Sequence, residues 1–298
     1  MVFYIIGNGF DRHHNMPTAY SHYREYLINH FPELKTKFET CKYINLSSND
    51  DLWSDVEKSL ELSCEDYYEE NSDLYPNLSD ERTPGWDDML LSTRNDFGFI
   101  ESFTGSAFKE WISSVDMPSV PCIENIIRSS FFVNFNFTHT LEQTYNVDPH
   151  NIYHIHGDIN SDKLIFGCPN NNGQSLSNNL NSYYSNDEWY SLVYEPAIKE
   201  MVRLCNCASK NCRSKYNELT QFIEKARKNE AINRVIVMGH SFDGVDVDYY
   251  KDVFIPMLHD SVWEFYAFGT NEMKYKEDER RICDFANDNQ LHYEIKRW

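Results

Sequence analysis

The sequence predicts an α/β fold, a mostly parallel sheet with helices on both faces and a helical insertion after the first strand. Three observations carry that reading. Short apolar runs recur at Val2–Ile6, Phe131–Asn136 and Arg234–Met238. They are largely continuous rather than alternating, as strands covered on both faces are. Helical spacing lies between and after such runs, at Tyr216–Asn229 and Glu277–Asn287, which is the βαβ pattern of a Rossmann-like sheet.

The first strand, Val2–Ile6, ends at Gly7-Asn8-Gly9. Tyr20, Tyr23, Tyr26 and Leu27 then recur at helical intervals. No further strand is expected until Phe131, so residues 20–128 read as a mainly helical insertion or cap within a single domain, 1–298. Leu52, Val56 and Leu60 share one helical face there, and Phe99, Phe103, Phe108 and Trp111 form a later stripe. Between them the acidic stretch Glu65–Arg94, with Pro76, Pro84 and Gly85, reads as a loop or irregular lid. Strands are expected again at Phe131–Asn136, Ile152–Ile155 and Leu164–Phe166. The Asn/Ser/Tyr-rich segment Pro169–Asp187 reads as an active-site loop. Helices at Glu195–Arg203 and Tyr216–Asn229, then strands at Arg234–Met238, Trp263–Phe268 and Leu291–Ile295, complete the expected order.

Composition narrows the function. A formal charge of -20 repels nucleic acid and anionic membrane surfaces, yet a nest of backbone N–H groups can still hold a small anion. The apolar N-terminal run is too short and lacks the basic start of a secretory signal, and no run reaches membrane-spanning length. A cytoplasmic protein is therefore expected, with its 8 cysteines reduced. Cys205, Cys207 and Cys212 lack the paired spacing of a zinc site and read as thiols without a metal. No metal and no resident cofactor are expected.

Four stretches end or follow expected strands and carry polar groups. Gly7-Asn8-Gly9-Phe10-Asp11 is a tight turn of the kind that brings backbone N–H groups to a phosphate; Arg12 stands where a third glycine would complete the dinucleotide pattern. Asn134 and Asn136 share a face in Asn134-Phe-Asn-Phe-Thr138, and Asn136 lies too early to cap a helix starting near Thr140. His154 and His156 share a face in His154-Ile-His-Gly-Asp158, offering an acid, a base or a ribose-hydroxyl partner. With two histidines and no third ligand in view, metal binding is the minority reading. Gly239-His-Ser-Phe-Asp-Gly-Val-Asp246 imitates a nucleophile elbow, with Gly244 one position late. It fits a nucleotide-binding loop better.

Taken in order, these stretches resemble the AbiH family of bacteriophage abortive-infection proteins. The resemblance also rests on His14, Pro17-Thr18, Tyr20, Leu52-Trp-Ser-Asp-Val-Glu57 and Leu141-Glu142. That family in turn resembles sirtuin-like NAD-binding domains. The resemblance implies that Gly7 and Gly9 form the phosphate turn. It implies that Asn136 is the strand-end asparagine, that His156 is the catalytic histidine, and that Gly239 and Ser241 belong to the ribose loop. Thr138 stands where the sirtuin-like pattern has Asp. No zinc-ribbon pair of C-x-x-C motifs is present, which argues against a regulatory deacylase.

The expected activity is NAD glycohydrolysis, cleavage of the nicotinamide–ribose bond. Asn136, His156 and Asp11 are the expected catalytic groups. Gly7, Asn8, Gly9, Phe10, Thr138, Gly239, Ser241 and Asp246 are the expected ligand-binding residues. NAD enters as substrate or ligand. The expected partner is a small nucleotide, NAD or an ADP-ribose derivative, with a second copy of the chain or a phage-derived activator as restraint or trigger. One alternative is a nucleotide- or phage-sensing module that binds without cleaving. Another is a serine hydrolase using Ser241 with Asp260 and His292.

Overall fold

The computed structural model describes residues 1–44, 51–74, 87–171, 173, 177–178, 190–242, 244–269 and 271–298. Six strands form one sheet: β1 (Val2–Ile6), β2 (Phe131–Asn134), β3 (Ile152–His154), β4 (Arg234–Met238), β5 (Val262–Ala267) and β6 (Tyr293–Arg297). Their spatial order is β3-β2-β1-β4-β5-β6 and every neighbouring pair is parallel. The fold is Rossmann-like. From β1 the chain builds outward to β2 and β3, then returns to the other side of β1 to lay down β4, β5 and β6. The carboxyl ends of β1 and β4 therefore flank the point where the winding reverses, which is where open α/β sheets leave a crevice for ligands.

Continuous burial explains the apolar runs. Residues 3–6 of β1 and all of β2 are buried, whereas the edge strand β6 alternates with exposed positions. One face of the sheet, including Phe3, Ile5, Val133, Val237 and Phe265, packs with residues of helices Tyr216–Asn229 and Glu272–Asp288 and of the segment 249–258. The other face, including Tyr4, Ile6, Phe132 and Met238, packs with Phe10 of helix Asn8–His13 and with Leu141 of helix Thr140–Gln143.

The described residues form two compact units. The first, Met1–Ala19, Ile112–Leu164 and Asn211–Trp298, holds the sheet; the second comprises Tyr20–Trp111 and Ile165–Lys210. Helices Tyr20–His30, Pro32–Thr40, Asp88–Phe97 and Phe99–Thr104 belong to the second, as does Tyr190–Cys207. Its core is aromatic: Tyr23 stacks on Trp111 at 4.9 Å and its hydroxyl donates to the Phe103 carbonyl at 2.6 Å. Within it, Lys210 Nζ lies 2.7 Å from Glu57 Oε2, and both residues are buried.

The strands β1 and β4 and the helix Tyr216–Asn229 have the expected bounds. Other elements differ. The strand expected at Leu164–Phe166 is absent; Phe166 instead stacks on Phe108 at 4.1 Å, so its burial comes from a side-chain contact rather than a place in the sheet. The helix expected at Glu195–Arg203 runs from Tyr190 to Cys207, and the one expected at Glu277–Asn287 runs from Glu272 to Asp288. β2 stops at Asn134 because Asn134 Oδ1 accepts the Asn136 N–H at 3.0 Å, an Asx turn that ends the ladder. Of the acidic stretch, Cys64–Glu70 is helical and residues 75–86 lie outside the described residues, as do most of 169–187 and Asp243.

Candidate functional site

The turn after β1 meets the turn after β4. The Gly7 N–H donates to the Met238 carbonyl at 2.9 Å and the Gly9 N–H to the Gly239 carbonyl at 2.8 Å. Gly239 has φ +69°, a conformation that disfavours side chains. A Cβ on Gly9 would stand 2.5 Å from the Gly239 Cα, and one on Gly239 would stand 2.2 Å from the Phe10 nitrogen. The glycines are thus required by two loops pressed backbone to backbone. The Phe10 N–H also stays within the chain, donating to the Gly7 carbonyl at 2.9 Å. Asn8 is exposed, and its Nδ2 donates to the Thr18 carbonyl at 2.9 Å.

Beside this turn lies a buried carboxyl. Asp11 is 1% exposed; its Oδ2 accepts from Thr138 Oγ1 at 2.5 Å and its Oδ1 from Thr140 Oγ1 at 2.8 Å. Burial pushes its pKa up, and the hydrogen bonds from Thr138, Thr140 and Asn136 hold that rise to about 6. The residue at 138 therefore serves Asp11 directly. A carboxylate at that position would oppose Asp11, whereas the threonine hydroxyl supports its ionised form. Asn136, bonded to Asp11, also donates from Nδ2 to the Gly7 carbonyl at 3.2 Å, linking the acid to the glycine turn. His14 is held by the Phe10 carbonyl at 2.8 Å and the Tyr145 hydroxyl at 2.6 Å, a packing role.

His156 presents a second arrangement. It is 2% exposed, and its Nε2 lies 3.3 Å from Asp246 Oδ1. Its ring packs against Phe135 at 5.3 Å and Tyr249 at 5.7 Å. Gly157, at φ +81°, turns the chain away immediately after it. His240, next to Gly239, packs its ring against the same Phe135 at 4.5 Å. The structure places Asp246, chosen from the sequence for ligand binding, against the imidazole. At 3.3 Å, without hydrogen-bond geometry between these two atoms, the carboxylate supports by its charge the cation formed on proton uptake rather than fixing the ring.

The four sequence stretches do meet at the carboxyl edge of the sheet, through Gly9 with Gly239, Gly7 with Asn136, and Phe135 with both His156 and His240. Their polar groups form two clusters, one around Asp11 and Asn136 and one around His156 and Asp246. Asp11 lies beside Phe10 of one core cluster, and His156 lies beside Phe135 and Tyr249 of the other. The serine-hydrolase triad is not assembled. Ser241 follows the carboxyl end of β4, whereas Asp260 and His292 precede β5 and β6 at the amino edge. Parallel strands of this length separate those edges by roughly 15 Å, so neither partner serves Ser241.

The sequence reading named His154 but did not assemble the third group around it. His154 has Nδ1 at 3.1 Å from the Asn136 carbonyl and Nε2 at 2.7 Å from Glu142 Oε1. His139 Nε2 stands 2.9 Å from Asp158 Oδ2. Burial alone would lower the His154 pKa, but the Glu142 carboxylate outweighs it and raises the value. Burial would raise that of Asp158; hydrogen bonds from His139 and Ser161 bring it down to about 2. The i, i+2 spacing of His154 and His156 signalled a shared strand end, but nothing local announced that residues 139, 142 and 158 fold back to it.

Among the described residues, no helix is long and apolar enough to cross a membrane. No curated protein and no solved structure matches the chain. A family model described as bacteriophage abortive infection AbiH matches residues 3–267, nearly all of the sheet together with the second unit. The chain belongs to the AbiH family of bacteriophage abortive-infection proteins.

Proposed function

We propose that this abortive-infection protein is an NAD glycohydrolase with a sirtuin-like site at the carboxyl edge of β1–β4. The observation that carries the reading is the His156–Asp246 pair, 3.3 Å apart, which joins the turn after the edge strand β3 to the loop after β4. In the reaction the bond between ribose C1′ and the nicotinamide nitrogen breaks, and its electron pair leaves with a ring that becomes neutral. No general acid is needed. A water oxygen bonds to C1′ and its proton passes to His156, whose imidazolium Asp246 supports. Asn136 orients the ribose and the water. Asp11, with both oxygens already accepting from Thr138 and Thr140, acts through Asn136 as a positioning residue. Asn8, Gly239 and Ser241 contribute from the loops that flank the pyrophosphate and ribose.

Incubating the purified protein with NAD and following free nicotinamide by chromatography tests this. Wild type is expected to release nicotinamide. His156→Ala is expected to lose about 10²–10⁴-fold of that rate with an unchanged circular dichroism spectrum. Wild-type turnover in the variant would remove His156 from the mechanism.

One observation favours a second reading. The N–H groups of Gly7, Gly9 and Phe10 all donate within the chain, which leaves fewer backbone donors for a pyrophosphate than a catalytic phosphate turn uses. A sensing module would bind NAD or ADP-ribose in calorimetry and return it intact. Recovery of unchanged ligand after saturating binding selects that reading.

A further inference from the structure

Apart from the nucleotide reading, we infer that His139, His154, Asp158 and Glu142 form a binding site for a divalent transition-metal ion of the zinc type. His139, His154 and Asp158 each offer a ligand atom, and the three atoms all lie within 4.8 Å of one another. Tetrahedral metal–ligand bonds of about 2.0–2.2 Å set donor atoms about 3.3–3.6 Å apart, so on binding the widest separations close by up to about 1 Å and the imidazole–carboxylate contacts of 2.7 and 2.9 Å widen by about half an ångström. Two imidazoles with two carboxylates suit zinc and its neighbours, whereas calcium and magnesium take oxygen ligands.

The hydrogen bonds around the ligands support this. The Asn136 carbonyl faces His154 Nδ1 at 3.1 Å, which makes Nδ1 the donor and leaves Nε2 with a lone pair. That lone pair faces Glu142 Oε1 at 2.7 Å. Two acceptors at that separation require a cation between them, a proton or a metal ion. His139 Nε2 lies 2.9 Å from Asp158 Oδ2, a second imidazole–carboxylate contact at the same place. Asp158 Oδ1 is turned away, accepting from Ser161 Oγ at 2.8 Å and the Asn160 N–H at 3.0 Å, so Oδ2 alone is aimed at the site. Independently, Glu142 Oε2 is buried with no hydrogen-bond partner, an acceptor that a bound cation would satisfy. The four side chains are between 11% and 23% exposed, shielded enough to strengthen binding and open enough for entry.

The ion would tie the turn and short helix after β2, which carry His139 and Glu142, to His154 at the end of β3 and Asp158 beyond it. Asn136 and His156 sit on those same two segments. Its role is therefore to brace the strand ends.

The test uses the full chain, stripped with a chelator and titrated with Zn²⁺ or Co²⁺ alone. Wild type is expected to bind one ion per chain, with a higher melting temperature when loaded. Asp158→Asn and His139→Gln are expected to weaken that binding by about 100-fold or more while keeping the wild-type circular dichroism spectrum. The 8 cysteines offer competing sites, and Co²⁺ separates them. A nitrogen–oxygen site gives d–d bands without thiolate-to-metal charge transfer. Charge-transfer absorption, or equal affinity in wild type and both variants, overturns the inference. Loss of NAD turnover alone leaves this result unaffected, so the two readings fail separately.

Discussion

Two buried carboxyls in this protein are kept in opposite ways. Glu57, in the second unit, is 5% exposed and faces the ammonium of the equally buried Lys210 at 2.7 Å. Asp11, beside the glycine turn, is 1% exposed and is met by the hydroxyls of Thr138 and Thr140 and the amide of Asn136. A lysine partner fixes a charge and makes it structural. Neutral donors leave the charge only partly compensated, so Asp11 titrates near neutrality and can be altered by whatever approaches Asn136. The difference teaches where to look for function: at the carboxyl whose neighbours stabilise it without cancelling it.

The largest expected effect breaks the first pair. Lys210→Met removes the ammonium 2.7 Å from the buried Glu57 and should cost on the order of 3–5 kcal/mol in denaturant unfolding. Adding Glu57→Gln should recover most of that. A loss under about 1 kcal/mol for the single variant would show that the pair contributes little to the second unit.

Next comes the pH dependence of Asp11. Its folded pKa of about 6 lies above the ordinary 3.8, so the folded state holds this proton more tightly than the unfolded chain. Its contribution to stability is full below about pH 4 and is lost as pH rises past 6, by on the order of 2–3 kcal/mol. Asp11→Asn should lack this slope when the two proteins are compared by urea unfolding across that window. Parallel curves would mean that Asp11 is ionised throughout.

Thr138→Ala is the mildest change and sharpens the contrast. Removing one donor should cost about 1–2 kcal/mol at pH 7.5 and less at pH 4, where Asp11 is protonated. It should also move the Asp11 titration, followed by carboxyl-carbon NMR, to higher pH. An equal loss at both pH values would reduce Thr138 to a packing residue.

The sheet was readable because its buried strands are unbroken apolar runs. Val2–Ile6 and Arg234–Met238 could be bounded to the residue, and Leu164–Phe166 misled because a buried aromatic in an extended connection has the same local pattern as a strand. The candidate site was readable only as separate strand ends. Thr138 stood out as a departure from the sirtuin-like pattern, but its service to Asp11 spans 127 positions of chain. Asp246 was visible as an acid near a glycine, not as the partner of His156. The pairing of His139 with Asp158 and of His154 with Glu142 depends on β2 and β3 lying side by side, which no short window of sequence contains.

The contact between the loops after β1 and β4 has an evolutionary corollary. Each of Gly7, Gly9 and Gly239 is small because of another chain segment's backbone, not because of its own turn alone. Enlarging one gains nothing unless the opposite loop also retreats. Across relatives, then, the three should be inherited as a set: where one is replaced, the spacing or composition of the facing loop should have changed in the same lineage.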